Sequence, residues 1–337
     1  MGAPAEVIAV RLPNWLGDSV MALPALAAIR AARSAARIEL IGRWAPLLAG
    51  QGVADAAVSY PRGFAERRRF ARALASDPPD WALLLPNSME SALAARWWGA
   101  RARVGFDADG RRPFLTHPLP RPAPPRHQVE EYGLLAGALG AAVASDAVPA
   151  WRATPALALE REVDELLVAE GLDQGARAVG LHLGAAFGPS KLWPTRSFGL
   201  LAKRLRESGR VPLLLGSSAD QPAADAVAEA AGAPPLGSLV GRDRPALLPH
   251  LLRRLSALVS GDTGVAHLAA AAGVPTVTLF GPTDARLTAP RGARARAIIG
   301  QAPCAPCFLS TCPIDHVCLE SVAVDRVWGQ VDELVPR

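Results

Sequence analysis

The chain has 337 residues, 50% of them hydrophobic and 20% charged, with a formal net charge of +5. That length and apolar content supply cores for two domains and exclude a disordered chain. The basic balance suits an anionic partner, but aromatics are only 5% and no basic stretch is interleaved with them, so no nucleic-acid partner is expected.

The N-terminus lacks the basic and apolar regions of a signal peptide. No apolar run reaches the roughly 18 residues that span a bilayer. The expectation is a soluble, cytoplasmic protein. Short apolar runs then alternate with helical patterns, the signature of βα units and parallel sheets. In the first half, strands are predicted over residues 7–11, 37–41, 56–60 and 81–85. Helices are predicted over residues 19–32, 63–75, 88–97 and 128–140, with a kink or late start at Pro24. The one dense basic run, residues 67–69, reads as a solvated helix face. Residues 105–126 are rich in Pro, Gly and Arg and read as a loop.

Residues 149–155 are the predicted linker. A second alternating series follows, with strands at 178–183, 211–215, 257–260 and 276–280. Its helices are expected at 161–170, 197–207, 219–231, 245–252 and 264–272, and a last one covers 322–335. Ligands of such sheets sit at the carboxyl ends of the strands.

Standard nucleotide motifs are absent: there is no G-x-G-x-x-G after the first strand, no P-loop, no G-x-S-x-G and no H-E-x-x-H. Instead, the first strand runs through Arg11 into a loop ending Gly17-Asp18. Gly17 suits a tight turn that brings backbone close to a bound substrate. Asp18 suits either a helix cap or a carboxylate that accepts a proton. The second domain opens with a strand, a glycine-bearing loop and a helix, and Lys191 lies in that loop. Lys191 and Lys203 are the only lysines among 36 basic residues, so a compact charge placed here suits phosphate. His182, within the strand, reads as a packed core residue. The stretch Ser260-Gly-Asp-Thr-Gly-Val-Ala-His267 repeats strand, turn and helix. Its helix start is an anion site, where Asp262 either caps the helix or accepts sugar hydroxyls, and His267 lies one turn further on. Residues 280–284 end the next strand in the same way.

With these segments in order, the sequence resembles the bacterial lipopolysaccharide heptosyltransferases, family 9 of the glycosyltransferases, and most nearly their heptosyltransferase II branch. The resemblance rests on residues 11–26, 85–93, 184–194, 216–220, 260–267 and 279–284, and on the cysteine-bearing tail 304–318. It implies an α/β protein of the GT-B fold, two Rossmann-like doubly wound domains facing a central cleft. Residues 1–152 are then the acceptor-binding domain and 153–320 the ADP-sugar-binding domain. Residues 321–337 form a helix expected to pack back on the first domain. The implied activity is inverting transfer of L-glycero-D-manno-heptose from an ADP-sugar to the lipopolysaccharide inner core, with no cofactor and no catalytic metal. The family's base falls on Asp18 and its diphosphate-binding lysine on Lys191. Its phosphate- and sugar-binding motif falls on Asp262, Thr263, Gly264 and His267, and its ribose-binding acid on Asp220. The phosphate loop departs from the family in offering no hydroxyl before Ser190, and Glu90 stands where relatives often carry Lys. The implied acceptor is an acidic phosphorylated glycolipid, with peripheral contact at the inner membrane surface. Arg43, Arg62, Arg67, Arg96, Arg111 and Arg112 are candidate contacts to it.

Cys304, Cys307, Cys312 and Cys318 have the density of a zinc site but not a standard zinc spacing. A structural zinc clip, a disulfide and reduced packing thiols stay open. Two readings from other classes stand beside the transferase: a non-hydrolysing sugar-nucleotide epimerase of the same fold, and a nucleotide-binding module without catalysis.

Overall fold

A computed structural model describes residues 6–172, 177–242 and 244–336. The chain divides into two compact units, residues 1–152 and 153–337, with the boundary inside the predicted linker. In the first unit the elements run β1 (Val7–Arg11), α1 (Leu16–Met21), α2 (Leu23–Ala32), β2 (Arg37–Ile41), α3 (Ala45–Leu48) and β3 (Ala56–Val58). They continue as α4 (Phe64–Ala75), β4 (Trp81–Leu84), α5 (Met89–Trp97), β5 (Ala102–Phe106), β6 (His117–Leu119) and α6 (Gln128–Gly137). The six strands form one sheet in the order β3-β2-β1-β4-β5-β6, and every pairing is parallel.

The second unit runs α7 (Leu157–Ala169), β7 (Ala178–His182), α8 (Thr195–Glu207), β8 (Val211–Leu215), α9 (Gln221–Ala231), β9 (Gly237–Ser238) and α10 (Leu248–Leu252). It ends with β10 (Ala257–Gly261), α11 (Gly264–Ala271), β11 (Thr276–Phe280), α12 (Ala285–Thr288), β12 (Ala295–Ile299), α13 (Val317–Glu320) and α14 (Val324–Leu334). Its sheet, β12-β11-β10-β7-β8-β9, repeats the doubly wound order of the first. The central strands β7, β10 and β11 are buried at every position, as both faces of a parallel sheet are covered by helices. That is why they appear in the sequence as unbroken apolar runs.

The departures from expectation have local causes. The predicted helix 19–32 is two helices that meet at Ala22. Pro24 sits in the first turn of α2, where its missing N–H leaves no hydrogen bond unmade. The predicted loop 105–126 contains β6, and β5 was missed beside it. Strand β6 lies at a sheet edge, where Pro118 opposite Gly105 is tolerated. The edge strands β9 and β12 were missed as well, being short or half-exposed.

The closing helix α14 (Val324–Leu334) packs within its own unit. Its buried residues Val327 and Val331 join the core of the second unit, with Val179, Leu201 and Leu205. Trp193 Nε1 donates to the Val322 carbonyl at 3.1 Å, and Arg210 of the second unit donates to Asp332 at 2.7 Å.

Helices α8 and α9 approach closely because of Gly199. A Cβ there would lie 2.5 Å from Ala230 Cβ and 2.9 Å from the Ala230 carbonyl carbon. Helix propensity favours alanine over glycine by about 1 kcal/mol, but here overpacking against backbone wins. Gly199→Ala is expected to destabilise the protein by about 1–3 kcal/mol. Gly329→Ala, in α14 with nothing within 4 Å, is expected to stabilise by up to about 1 kcal/mol. Urea unfolding of the two variants checks the opposite signs.

Candidate active site

In each sheet the winding reverses beside its first strand, between β1 and β4 and again between β7 and β10. Such a reversal leaves a crevice at the carboxyl ends of that strand pair. The loops that leave these four strands carry most of the residues singled out in the sequence.

In the first unit, β1 ends in Arg11, whose side chain is 2% exposed. A guanidinium this deep requires partners. It donates to the Leu12 carbonyl and to Asn14 Oδ1 at 3.1 Å, and it stacks 4.2 Å from the Tyr60 ring centroid. Trp44 Nε1 donates to the Asn14 carbonyl at 2.9 Å, so the loop before α1 is held from two sides. The N-cap of α1 is Trp15, without a side-chain cap. Gly17 is therefore a buried helical residue and not a turn glycine. Asp18 is the third residue of α1 and not its cap, and it is half-buried. Burial, and then the charges of Asp18 and Glu131, push the Tyr132 phenol well above its ordinary range.

Glu90 lies in the first turn of α5. Tyr60 Oη donates to Glu90 Oε1 at 2.6 Å, Arg67 lies 3.4 Å from that oxygen, and Arg11 lies 3.9 Å from the other. The carboxylate thus balances two arginines around one ring. Burial and then Glu90 push the Tyr60 hydroxyl upward.

The candidate acceptor arginines divide. Arg111 is corrected: it is fully buried. It donates to the Phe106 carbonyl at 2.8 Å, the Pro86 carbonyl, Ser91 Oγ at 3.1 Å and Asn87 Oδ1 at 3.2 Å. Burial brings it down to about 10. It braces the loop after β4 and is not available to a substrate. Arg112 pairs with Asp107 at 2.8 Å and Arg67 with Glu90, whereas Arg43, Arg62 and Arg96 are exposed.

In the second unit the structure joins two motifs that lie 71 residues apart. Lys191 closes a single 3-10 turn after β7, and Asp262 follows β10 directly. Lys191 Nζ donates to Asp262 Oδ2 at 2.5 Å and to its carbonyl at 3.1 Å. Thr283 Oγ1 donates to the same carboxylate oxygen at 2.8 Å, and His267 Nε2 lies 3.9 Å from the other. Burial pushes the Asp262 carboxyl up, but His267 and Lys191 outweigh it and hold the group down at about 2. It is therefore ionised at neutral pH. Gly261 permits this approach, since a Cβ there would lie 2.6 Å from the Lys191 carbonyl.

Thr263 is the extended N-cap residue of α11 and Gly264 its first residue. Ser260 Oγ lies 2.9 Å from Thr263 Oγ1. The first amides of such a helix have no intrahelical acceptor and point outward. A cationic Nζ beside a helix start is an arrangement that binds a diphosphate. A cavity of about 630 Å³ at the carboxyl ends of β11 and β12 is lined in part by Thr283, Asp284, Arg286 and Gln301, so it shares Thr283 with the Asp262 cluster.

Asp220 packs between the loops after β7 and β8, and a Cβ at Gly184 would lie 2.6 Å from its Oδ2. That oxygen accepts from Ser217 N and Oγ, both at 2.8 Å. His182 is buried as expected, and burial brings it down to about 4 against the opposing pull of Asp220. The four cysteines are thiols, so no disulfide ties the tail. Among the described residues no three His, Cys, Asp or Glu side chains converge as a metal site. Burial pushes the Cys318 thiol up.

Thr283, Tyr60 and Glu90 complete these clusters without having been chosen as site residues. At Thr283 and Tyr60 the signal was weak, an ordinary polar residue just past a strand end, and Glu90 lies in the first turn of α5.

A carboxyl held below its ordinary 3.8 contributes stability that is complete above that value and is lost as pH falls through about 2. Asp262→Asn is therefore expected to lower stability by about 2 kcal/mol at neutral pH, since each tenfold difference in proton affinity between the folded and unfolded chain is worth about 1.4 kcal/mol. The gap from the parent protein closes on acidification through that window. Urea unfolding at a series of pH values checks it, and a gap unchanged down to strong acid overturns it.

The sequence profile of glycosyltransferase family 9 (heptosyltransferase) matches residues 67–318. Lipopolysaccharide heptosyltransferase 2 of Salmonella typhimurium is 30% identical over 299 residues, which cover 85% of this chain and 86% of that protein. The Escherichia coli protein of the same name matches to the same extent. Among solved structures, E. coli ADP-heptose lps heptosyltransferase II superposes with a TM-score of 0.82 at 26% identity, covering 97% of this chain and 98% of that one. A family 9 glycosyl transferase from Veillonella parvula shares the fold with a TM-score of 0.83 at 19% identity, covering 98% of this chain and 97% of that one. With a profile matched over most of its length and relatives matched across both units, the chain belongs to glycosyltransferase family 9, the heptosyltransferases.

Proposed function

We propose that the protein transfers L-glycero-D-manno-heptose from ADP-heptose to the inner core of lipopolysaccharide, with inversion at the anomeric carbon and with neither a cofactor nor a catalytic metal. The observation that carries this reading is the Lys191–Asp262 pair beside the start of α11, in a chain 30% identical to lipopolysaccharide heptosyltransferases.

In this reading the second unit holds the donor. The diphosphate rests on Lys191 and on the first amides of α11 at Gly264 and Val265. Asp262, Thr263 and His267 contact phosphate and sugar, and Asp220 contacts the ribose. The first unit holds the acidic glycolipid acceptor, with the exposed Arg43 and Arg62 meeting its anionic groups. Asp18 accepts the proton of the acceptor hydroxyl as the oxygen attacks the anomeric carbon. The bond to the ADP oxygen breaks on the opposite face. Negative charge gathers on the departing diphosphate, where Lys191 and the α11 amides stabilise it. Fixed donors of this kind are worth about 3–4 kcal/mol each in the transition state. The enzyme works at the cytoplasmic face of the membrane that carries its acceptor.

The deciding experiment incubates purified protein with ADP-heptose and deacylated core oligosaccharide in excess EDTA, and follows the product by mass. Heptose transfer supports the reading. Turnover of the nucleotide sugar without an acceptor would favour the epimerase instead.

Asp18→Asn is expected to lower kcat by about 10²–10⁴-fold with ADP-heptose affinity unchanged, because the carboxylate acts only in the transition state. A variant that keeps more than about a tenth of the rate would mean that Asp18 only supports α1. Lys191→Ala is expected to weaken ADP binding and slow transfer. Lys191→Arg restores part of the loss, since a planar fork replaces a point charge poorly in a tight loop. Calorimetric titration with ADP checks the series, and equal affinity in all three proteins removes Lys191 from the diphosphate site.

A further inference from the structure

The first unit carries an aromatic pair that the reading above leaves unused. Phe64 opens α4 and Trp97 closes α5. They are 70% and 50% exposed, and their rings meet edge to face with centroids 6.4 Å apart. Their neighbours do the opposite: Trp98 is fully buried and packs edge to face on Tyr60 and Phe70. Two large aromatics held together on a surface leave unused the burial that stabilises a core.

The charge around the pair is one-sided. Helical spacing puts Phe64, Arg68 and Arg72 in one row along α4, with Arg69 beside it and Arg96 next to Trp97. Arg68, Arg69, Arg72 and Arg96 are all exposed. Among the described residues, none of these four lies within ion-pair distance of a carboxylate. Some exposed arginines elsewhere are matched, as in Arg101–Asp80, Arg112–Asp107, Arg254–Asp164 and Arg286–Asp284. The single acid of α4, Glu66, is turned back onto the Gly63 amide at the helix start. A basic helix surface with Phe and Trp at its edge is the composition that settles in a lipid headgroup layer.

We propose that this face of α4 and α5 docks the protein on an anionic phospholipid bilayer, with Phe64 and Trp97 seated among the headgroups and Arg68, Arg69, Arg72 and Arg96 against the lipid phosphates. The proposal rests on the reading that the acceptor is a membrane-borne glycolipid, and it assigns a surface to the peripheral contact which that reading requires.

The test is co-sedimentation of the full chain with vesicles of phosphatidylcholine alone and of phosphatidylcholine with phosphatidylglycerol. The parent protein is expected to partition onto the anionic vesicles only, and to be released by salt. Phe64→Ala with Trp97→Ala is expected to lower partitioning about tenfold. Arg68→Gln, Arg69→Gln and Arg72→Gln together are expected to lower it about a hundredfold, at about fivefold per arginine. Both variants should keep the parent ADP affinity and the parent rate on deacylated soluble acceptor, which also reports that they are folded. Failure of the parent to partition, or equal partitioning of the variants, overturns the proposal. So does light scattering that shows a dimer of the parent which the aromatic variant abolishes, since a second copy would then own this face. Transfer to soluble acceptor without vesicle binding removes the surface and leaves the transferase reading intact. Vesicle binding without transfer does the reverse.

Discussion

A parallel sheet that winds first one way and then the other from its first strand leaves one place where no crossover covers the strand ends. Right-handed crossovers put the helices after the two central strands on opposite faces, so the loops between them part. Both sheets of this protein are built under that constraint, at β1/β4 and at β7/β10. Arg11, Asp18 and Glu90 follow the first pair of strands, and Lys191 and Asp262 follow the second. The apolar strands beneath, buried at every position in β7 and β10, bring these polar loops together.

Charge pairing at the crevices has a second effect. A buried ion is expensive unless a partner of opposite sign and further hydrogen bonds meet it. Lys191 and Asp262 meet this need across β7 and β10, with Thr283 joining from the loop after β11. Arg11 and Glu90 do so across β1 and β4, with Tyr60 supplying a hydroxyl and a ring face. In both units the interaction that neutralises the charge also ties two loops into one register. The side chains suit their tasks. Arg111 spreads its planar fork over two carbonyls, a hydroxyl and an amide oxygen, a bracing role that a point charge cannot fill. Lys191 concentrates its charge on one atom, 11% of its side chain still exposed, and an incoming anion can compete with Asp262 for it.

Much of the fold was legible in the sequence because the signals were local. Central parallel strands appear as unbroken apolar runs, and β1, β2, β8 and β11 begin and end where expected. The scarcity of lysine pointed to Lys191, and strand-turn-helix stretches marked the loops at Asp18 and Asp262. Three of the four edge strands were hidden for an equally physical reason. Strands β6, β9 and β12 are short or exposed on one side, so they lack the apolar signal that burial on two faces imposes.

What the tertiary structure alone decided is which distant groups meet. Periodicity reports which face of an element is apolar but not what covers it. The stripe of α14 was therefore readable, while its place in the second unit's core was not. Composition marks an arginine-rich loop as solvated, yet Arg111 is enclosed because its donors find carbonyls at the end of β5 and in the loop after β4. An aspartate near a helix start suggests a cap, and only the backbone conformation of Trp15 puts Asp18 within the helix instead. By itself the sequence determined the two doubly wound units and the loops that hold the candidate site residues, because those follow from spacing along the chain. The Lys191–Asp262 pair, the Glu90 bridge between two arginines and the exposed Phe64–Trp97 pair depend on contacts between segments far apart in the chain, and only folding specifies those.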